Sequence, residues 1–105
     1  MNAAELFAKM DENFNAEAAA GIDAVFQYEF SDDDNYYVVV KDGTKDIQQG
    51  DHESPTVTIS SDVGTFMGIV DGSVNGMQAF MSGKLKATGN VILAQKMNTL
   101  FPING

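Results

Sequence analysis

Residues 21–50 read GIDAVFQYEFSDDDNYYVVVKDGTKDIQQG. Ile22, Ala24, Phe26, Tyr28 and Phe30 alternate with Asp23, Val25, Gln27 and Glu29. That period of two marks a strand with one apolar face and one mostly wet face. The polar turn SDDDN (31–35) leads into a second strand, YYVVVK, and the Asp42-Gly43 pair signals a hairpin that folds TKDIQQG back as a third. Beyond the loop GDHESP, TVTIS (56–60) reads as a fourth strand. The four are compatible with an antiparallel meander wetted on one side.

On either side of this block the period lengthens. Upstream, Asn2 and Glu5 form a capping-box pattern. Leu6, Met10 and Phe14, with Ala3, Phe7 and Ala18, then share one helical face, and Gly21 is placed to end the helix. Downstream, Val63, Phe66, Met67 and Val70 fit a helix capped by Ser61 or Asp62 and broken near Gly72. Asn75 with Gln78 caps a short helix carrying Met77, Phe80 and Met81 as far as Gly83. KLKAT is a fifth strand, and Asn90 caps a last helix bearing Leu93, Met97, Leu100 and Phe101, ended by Pro102. The sum is a two-layer α+β fold, a five-stranded, mostly antiparallel sheet covered on one face by helices.

The chain has 105 residues, 44 % of them hydrophobic. That length suits one domain spanning 1–105 with its own core. No cysteine and no arginine occur, so disulfides, thiolate nucleophiles and cysteine metal sites are excluded. The net charge is −9, which argues against nucleic acid, since a duplex binder needs a basic face. The charge is lopsided: residues 1–55 hold thirteen acids and three lysines, residues 56–105 two acids and three lysines. No stretch approaches the roughly 20 apolar residues of a membrane span, and the first residues lack a signal-peptide pattern. A cytoplasmic location is the expectation.

The run AFMSGKLKATGNVILAQKMNTLF (79–101) carries a pattern of its own. Phe80 on a short helix, Gly83 to Lys86, the Gly89-Asn90 step and an amphipathic segment from Leu93 to Phe101 follow one another. Together with an acidic helix start at Asp62, they resemble the C-terminal half of the sterol carrier protein-2 family. The resemblance implies a five-stranded sheet covered by helices, with an apolar tunnel between the layers that takes sterols, acyl chains or other lipids. It implies a non-enzymatic intracellular lipid carrier with no cofactor.

Other motifs are weak. His52 is the only histidine and lies in a polar loop, so it cannot complete a metal site and reads as solvated. Asp32-Asp33-Asp34-Asn35 lacks the central glycine and terminal glutamate of a calcium loop and reads as a solvated turn. Ser82-Gly83-Lys84 lacks phosphate-loop spacing. Met67, Met77, Met81 and Met97 occupy helical apolar positions, where methionine serves equally as core filler or as an adaptable pocket wall. With the resemblance, the expected lining is Phe26, Tyr28, Phe30, Val38, Val40, Met67, Met77, Phe80, Met81 and Met97. Lys84 and Lys86 alternate on the fifth strand and offer a transient contact for anionic lipid head groups.

Two other classes stay open. A small isomerase or cyclase would place a carboxylate such as Asp62 in an apolar cavity as general base. An accessory or dimerisation module would have a collapsed pocket and an apolar surface patch. Gly64 and Gly68 interrupt an apolar helical pattern, which fits either close packing on the sheet or a helix soft enough to lift.

Overall fold

Along the strand Asp23–Phe30, β1, the residues Ala24, Phe26, Tyr28 and Phe30 are all buried, as the alternation requires. The computed structural model describes residues 2–96 and residue 100. Before β1 comes helix α1 (Ala3–Glu12). After it come β2 (Tyr36–Lys41), β3 (Thr44–Gln49), β4 (Val57–Ser61), α2 (Val63–Asp71), α3 (Gly76–Met81), β5 (Lys86–Gly89) and α4 (Val91–Gln95). The strand order is β3-β2-β1-β4-β5, antiparallel throughout except where β4 runs parallel to β1.

That parallel pair corrects the four-strand meander. After β3 the chain crosses the wet face and adds β4 to the free edge of β1, leaving β1 central. Gln27, on the supposed wet face, is buried and explains the crossing. The two N–H groups of its amide are shared among the carbonyls of Tyr36 (3.2 Å) and Gly50 (3.1 Å) and Asp51 Oδ1 (3.1 Å), while its Oε1 accepts from the backbone N–H of His52 at 2.7 Å. Thr56 then docks on Val25, with one backbone bond and one side-chain bond, both 2.9 Å. His52 is half-buried rather than solvated. Its Nδ1 accepts from Ser54 N–H at 3.0 Å, and its ring meets Tyr37 edge-on at 5.3 Å.

The first helix ends at Glu12, well before Gly21. Asn13 caps it, and Asn15 bonds the N–H of Ala18, so short polar side chains compete with the helical ladder. Leu6, Phe7 and Met10 face the sheet, and the Phe7 ring stacks on Tyr36 at 4.7 Å and meets Tyr28 edge-on at 5.1 Å. The acidic turn is exposed, as expected, and two of its carboxylates also reach back to helix starts. Asp33 accepts from Ala3 N–H and Asp32 from Val63 N–H, both at 3.0 Å, which sets a carboxylate at the start of α1 and of α2. Backbone N–H groups of Ala3 and Asp34 hold the Asp33 carboxyl below the usual range.

Gly68 is closed in against the α2–α3 connection, not the sheet. A Cβ there would lie 2.4 Å from Val74 Cγ2. Gly64 is different, since a Cβ would meet only the Asp62 carboxylate, at 3.2 Å. Gly89 is the tightest backbone approach, with φ +88° and an added Cβ 2.5 Å from the Thr56 carbonyl oxygen. Gly89→Ala should therefore cost at least about 2 kcal/mol through strain and loss of β4–β5 contact. For a chain of this size that lowers the melting temperature by roughly 8–16 °C. An unchanged melting curve would contradict this backbone geometry.

Candidate functional site

One row of residues crosses the apolar side of the sheet at the β4–β5 end. Ala87 pairs with Ile59, and Ile59 with Tyr28. Over Ile59 and Ala87, with Leu85 beside them, the helices leave a groove of about 310 Å³. Its walls are Phe66 and Ile69 from α2, Gly76, Met77 and Phe80 from α3, and Val91, Ala94 and Gln95 from α4. The space has a local cause. Among the lining residues Gly76, Ala87 and Ala94 supply little bulk, and α3 has only six residues. No lining side chain is ionisable.

The rim is apolar and reaches solvent. Of the lining residues Met77 is 56 % and Phe80 48 % exposed, and Met81 and Ile92, next to lining residues in sequence, are 78 % and 66 % exposed. Such a cluster is unusual beside a concave site unless something binds there. Of the residues expected to line a pocket, Met77 and Phe80 do line this groove, and Met81 stands outside it in solvent. Phe26, Tyr28, Val38 and Val40 have no exposed surface and fill the core under the other half of the sheet. Phe30 is buried beside Phe66, with ring centroids 5.6 Å apart, and Met67 packs on the same core. Met97 lies outside the described residues. The lining residues missing from the sequence reading are Ile59, Phe66, Ile69, Gly76, Leu85, Ala87, Val91, Ala94 and Gln95. Leu85 and Ala87 carried a signal, as the apolar partners of the lysine alternation.

A second, shallower cleft lies at the sheet edge, lined by Glu29, Phe30, Ser60, Asp62, Lys84 and Lys86 among others. Only Lys86 is on β5. Lys84 precedes the strand, so the two do not alternate on it, yet they share this cleft. Asp62 is committed to capping α2. It accepts from Thr65 N–H at 2.9 Å and from the Thr65 hydroxyl at 2.5 Å, and those two bonds hold its carboxyl below the usual range. A general base in an apolar cavity would be shifted the other way.

A two-layer α+β domain with an uncharged apolar groove between helices and sheet has the form of a small-molecule binding module. The model of the SCP-2 sterol transfer family matches residues 4–102, and the chain belongs to that family. Hydroxysteroid dehydrogenase-like protein 2 of Xenopus tropicalis is 29 % identical over 99 residues, covering 91 % of this chain and 24 % of that protein. The chain thus spans about a quarter of the length of that relative. Sterol carrier protein 2 of Yarrowia lipolytica, in its apo form, superposes with a TM-score of 0.74 at 22 % identity, over 94 % of this chain and 88 % of that one. A double mutant of the sec-alkyl sulfatase PisA1 of Pseudomonas sp. gives 0.87 at 16 % identity, over 96 % of this chain and 16 % of that one. At these identities the structural likeness concerns the fold.

The cap makes a checkable pH statement. Asp62 has a lowered pKa when folded, so its contribution is present above the ordinary carboxylate pKa of about 3.9 and lost as pH falls through the lower folded value. Asp62→Ala should cost ~1 kcal/mol at pH 7, the usual worth of an N-cap. The gap to the parent should be narrower near pH 3, below the ordinary carboxylate pKa, than at pH 7. Urea titrations at the two pH values test this, and equal penalties at both would contradict it.

Proposed function

We propose that the protein is a non-enzymatic lipid carrier that takes a sterol-like, acyl or other apolar ligand in the groove between β4–β5 and helices α2, α3 and α4. The observation that carries this reading is a concave lining with no ionisable side chain. Family membership agrees with it. The isomerase reading asked for a carboxylate in the cavity, and Asp62 is instead a cap outside the groove. The accessory-module reading asked for a filled pocket with an apolar surface patch; exposed apolar side chains are present at Met77, Phe80, Met81 and Ile92, but about 310 Å³ stands open beside them.

Magnitudes are consistent with a carrier. Ten methylenes buried at ~0.8 kcal/mol each give ~8 kcal/mol, the equivalent of roughly micromolar affinity before ordering costs. Such binding holds a ligand yet releases it. Among the described helices none is long and apolar enough to cross a membrane, so delivery requires contact with a lipid surface rather than insertion of a span. Lys84 and Lys86 provide the positive end of that contact, weakened by Glu29 and Asp62 in the same cleft.

Mass spectrometry of an organic extract of the purified protein should reveal a stoichiometric apolar ligand. Ala87→Trp fills the groove floor with bulk and no charge, and should abolish uptake of a fluorescent apolar probe. Met81→Glu, outside the groove, should leave uptake within a factor of two or so. An empty extract together with equal probe binding by the parent and the Ala87→Trp variant would overturn the groove assignment. Lys86→Glu should leave uptake intact and slow transfer from anionic vesicles several-fold, at ~1 kcal/mol per surface lysine. Unchanged transfer rates would remove the lysines from the contact.

A further inference from the structure

Every large apolar side chain that stands exposed among the described residues falls within one short stretch, at Met77, Phe80, Met81, Val91 and Ile92. They come from two helices whose side chains share the groove. Met77, Phe80 and Val91 line it, and Met81 lies one helical turn beyond Met77 on the same face of α3. The other side of α3 is held down at Ala79, which is buried and whose carbonyl accepts from the N–H groups of Lys84 (2.9 Å) and Leu85 (3.1 Å). The rim is thus an apolar patch at the mouth of the groove. Single exposed apolar residues are ordinary, but a patch of them beside an opening marks a contact site.

Charge selects the partner. All fifteen acids lie in residues 1–71, and residues 72–96 hold three lysines and no acid. Lys84 is tied to α3 through Ala79, and Lys96 caps the end of α4, so an exposed cation follows each helix of the rim. A second copy of the chain fits poorly. Two rims related by a two-fold axis would oppose lysine to lysine. Elsewhere the described surface offers no large apolar side chain to receive the rim. An anionic lipid surface satisfies both features, since apolar side chains enter the acyl boundary while ammonium groups stay among the phosphates. Glu29 and Asp62 share a cleft with Lys84 and Lys86 and offset part of that attraction. Apolar insertion therefore supplies most of the binding, and the lysines supply the preference for anionic lipid.

We propose that α3 and the start of α4 form a membrane-docking face, in which Met81 and Ile92 insert into the acyl boundary of an anionic bilayer and Lys84 and Lys96 meet its head groups. The groove then opens directly onto hydrocarbon, so an apolar ligand passes between bilayer and groove without crossing water. This deepens the carrier reading above by naming the surface at which ligand is exchanged. Its test is separate, because Met81 and Ile92 lie outside the groove lining.

The chain has no tryptophan, so Met81→Trp places a single fluorescent reporter on the rim, and Gln49→Trp places one on β3 at the opposite edge of the sheet. With vesicles of equimolar phosphatidylcholine and phosphatidylglycerol, emission from position 81 should shift to shorter wavelength and emission from position 49 should not. In co-sedimentation with the same vesicles, Met81→Glu and Ile92→Glu should each weaken binding about tenfold, the loss of one inserted side chain. Lys41→Glu changes the net charge by more but lies on β2, and should alter binding by less than about twofold because its charge is screened. Pure phosphatidylcholine vesicles should bind several-fold more weakly.

No shift at position 81, equal shifts at both positions, or unchanged binding by both glutamate variants would overturn the docking face. The carrier reading would still stand if the fluorescent apolar probe is taken up. A shift at position 81 that grows with protein concentration in the absence of vesicles would show a second copy on the rim and overturn the proposal as well. Equal binding to pure phosphatidylcholine and to mixed vesicles would overturn the part assigned to the lysines. Vesicle binding as expected without probe uptake would support the docking face and fail the carrier reading alone.

Discussion

The hydrogen bonds of the Gln27 amide hold the architecture together. This side chain sits at the centre of the sheet, on the face away from the helices, and clamps the chain as it leaves β3. A buried primary amide has two donors and one acceptor to satisfy, and leaving them unmade costs ~1–3 kcal/mol each. The cheapest arrangement brings residues 50–52 across β1, and β4 follows onto its free edge. Everything that makes the groove comes after that crossing. With β4 beside β1, β5 has an edge to join, and α2 is delivered over the apolar face.

The two halves of the sheet then differ in how they are covered. Over β1 and β2 lies α1, whose Phe7 ring contacts Tyr28, Phe30, Tyr36 and Phe66. Such aromatic clusters pack densely, and each pair adds ~0.5–1.5 kcal/mol beyond area burial. Over β4 and β5 the cover is α3 and α4, short helices that hold Met77, Phe80 and Val91 at the edge of the space without filling it. The rigid half supports the open half through Phe66, which belongs to both. Dense packing and open space are thus separated along the sheet, with the Phe66 ring at the boundary.

Charge follows the same division. Asp32 and Asp33 sit at the starts of α2 and α1, where helix dipoles favour anions, and Asp62 caps α2 with its side chain. From residue 72 to residue 96 there is no acid, and three lysines occur. The acids therefore stabilise the frame, while the segment that forms most of the groove wall carries none.

Much of the fold was legible in the sequence, because its signals are local. Period two marked the strands, period 3.6 marked the helices, and Asn2, Asp62, Asn75 and Asn90 cap α1 to α4 as their spacing indicated. The run 79–101 pointed to the family. The neighbours of β1 were not legible, since alternation is satisfied equally by a meander and by the order β3-β2-β1-β4-β5, and the deciding bonds join Gln27 to residues 23–25 positions away. The groove was hidden for the same reason. A pattern of apolar residues states which side chains leave water, but not which of them face another side chain and which face a gap. Phe26 and Val38 meet α1's side of the core and close it, whereas Ile59 and Ala87, no more apolar, lie under the open groove. Local periodicity determined the elements and their inner faces; only the packing of elements distant in sequence decided where the space between them would be left.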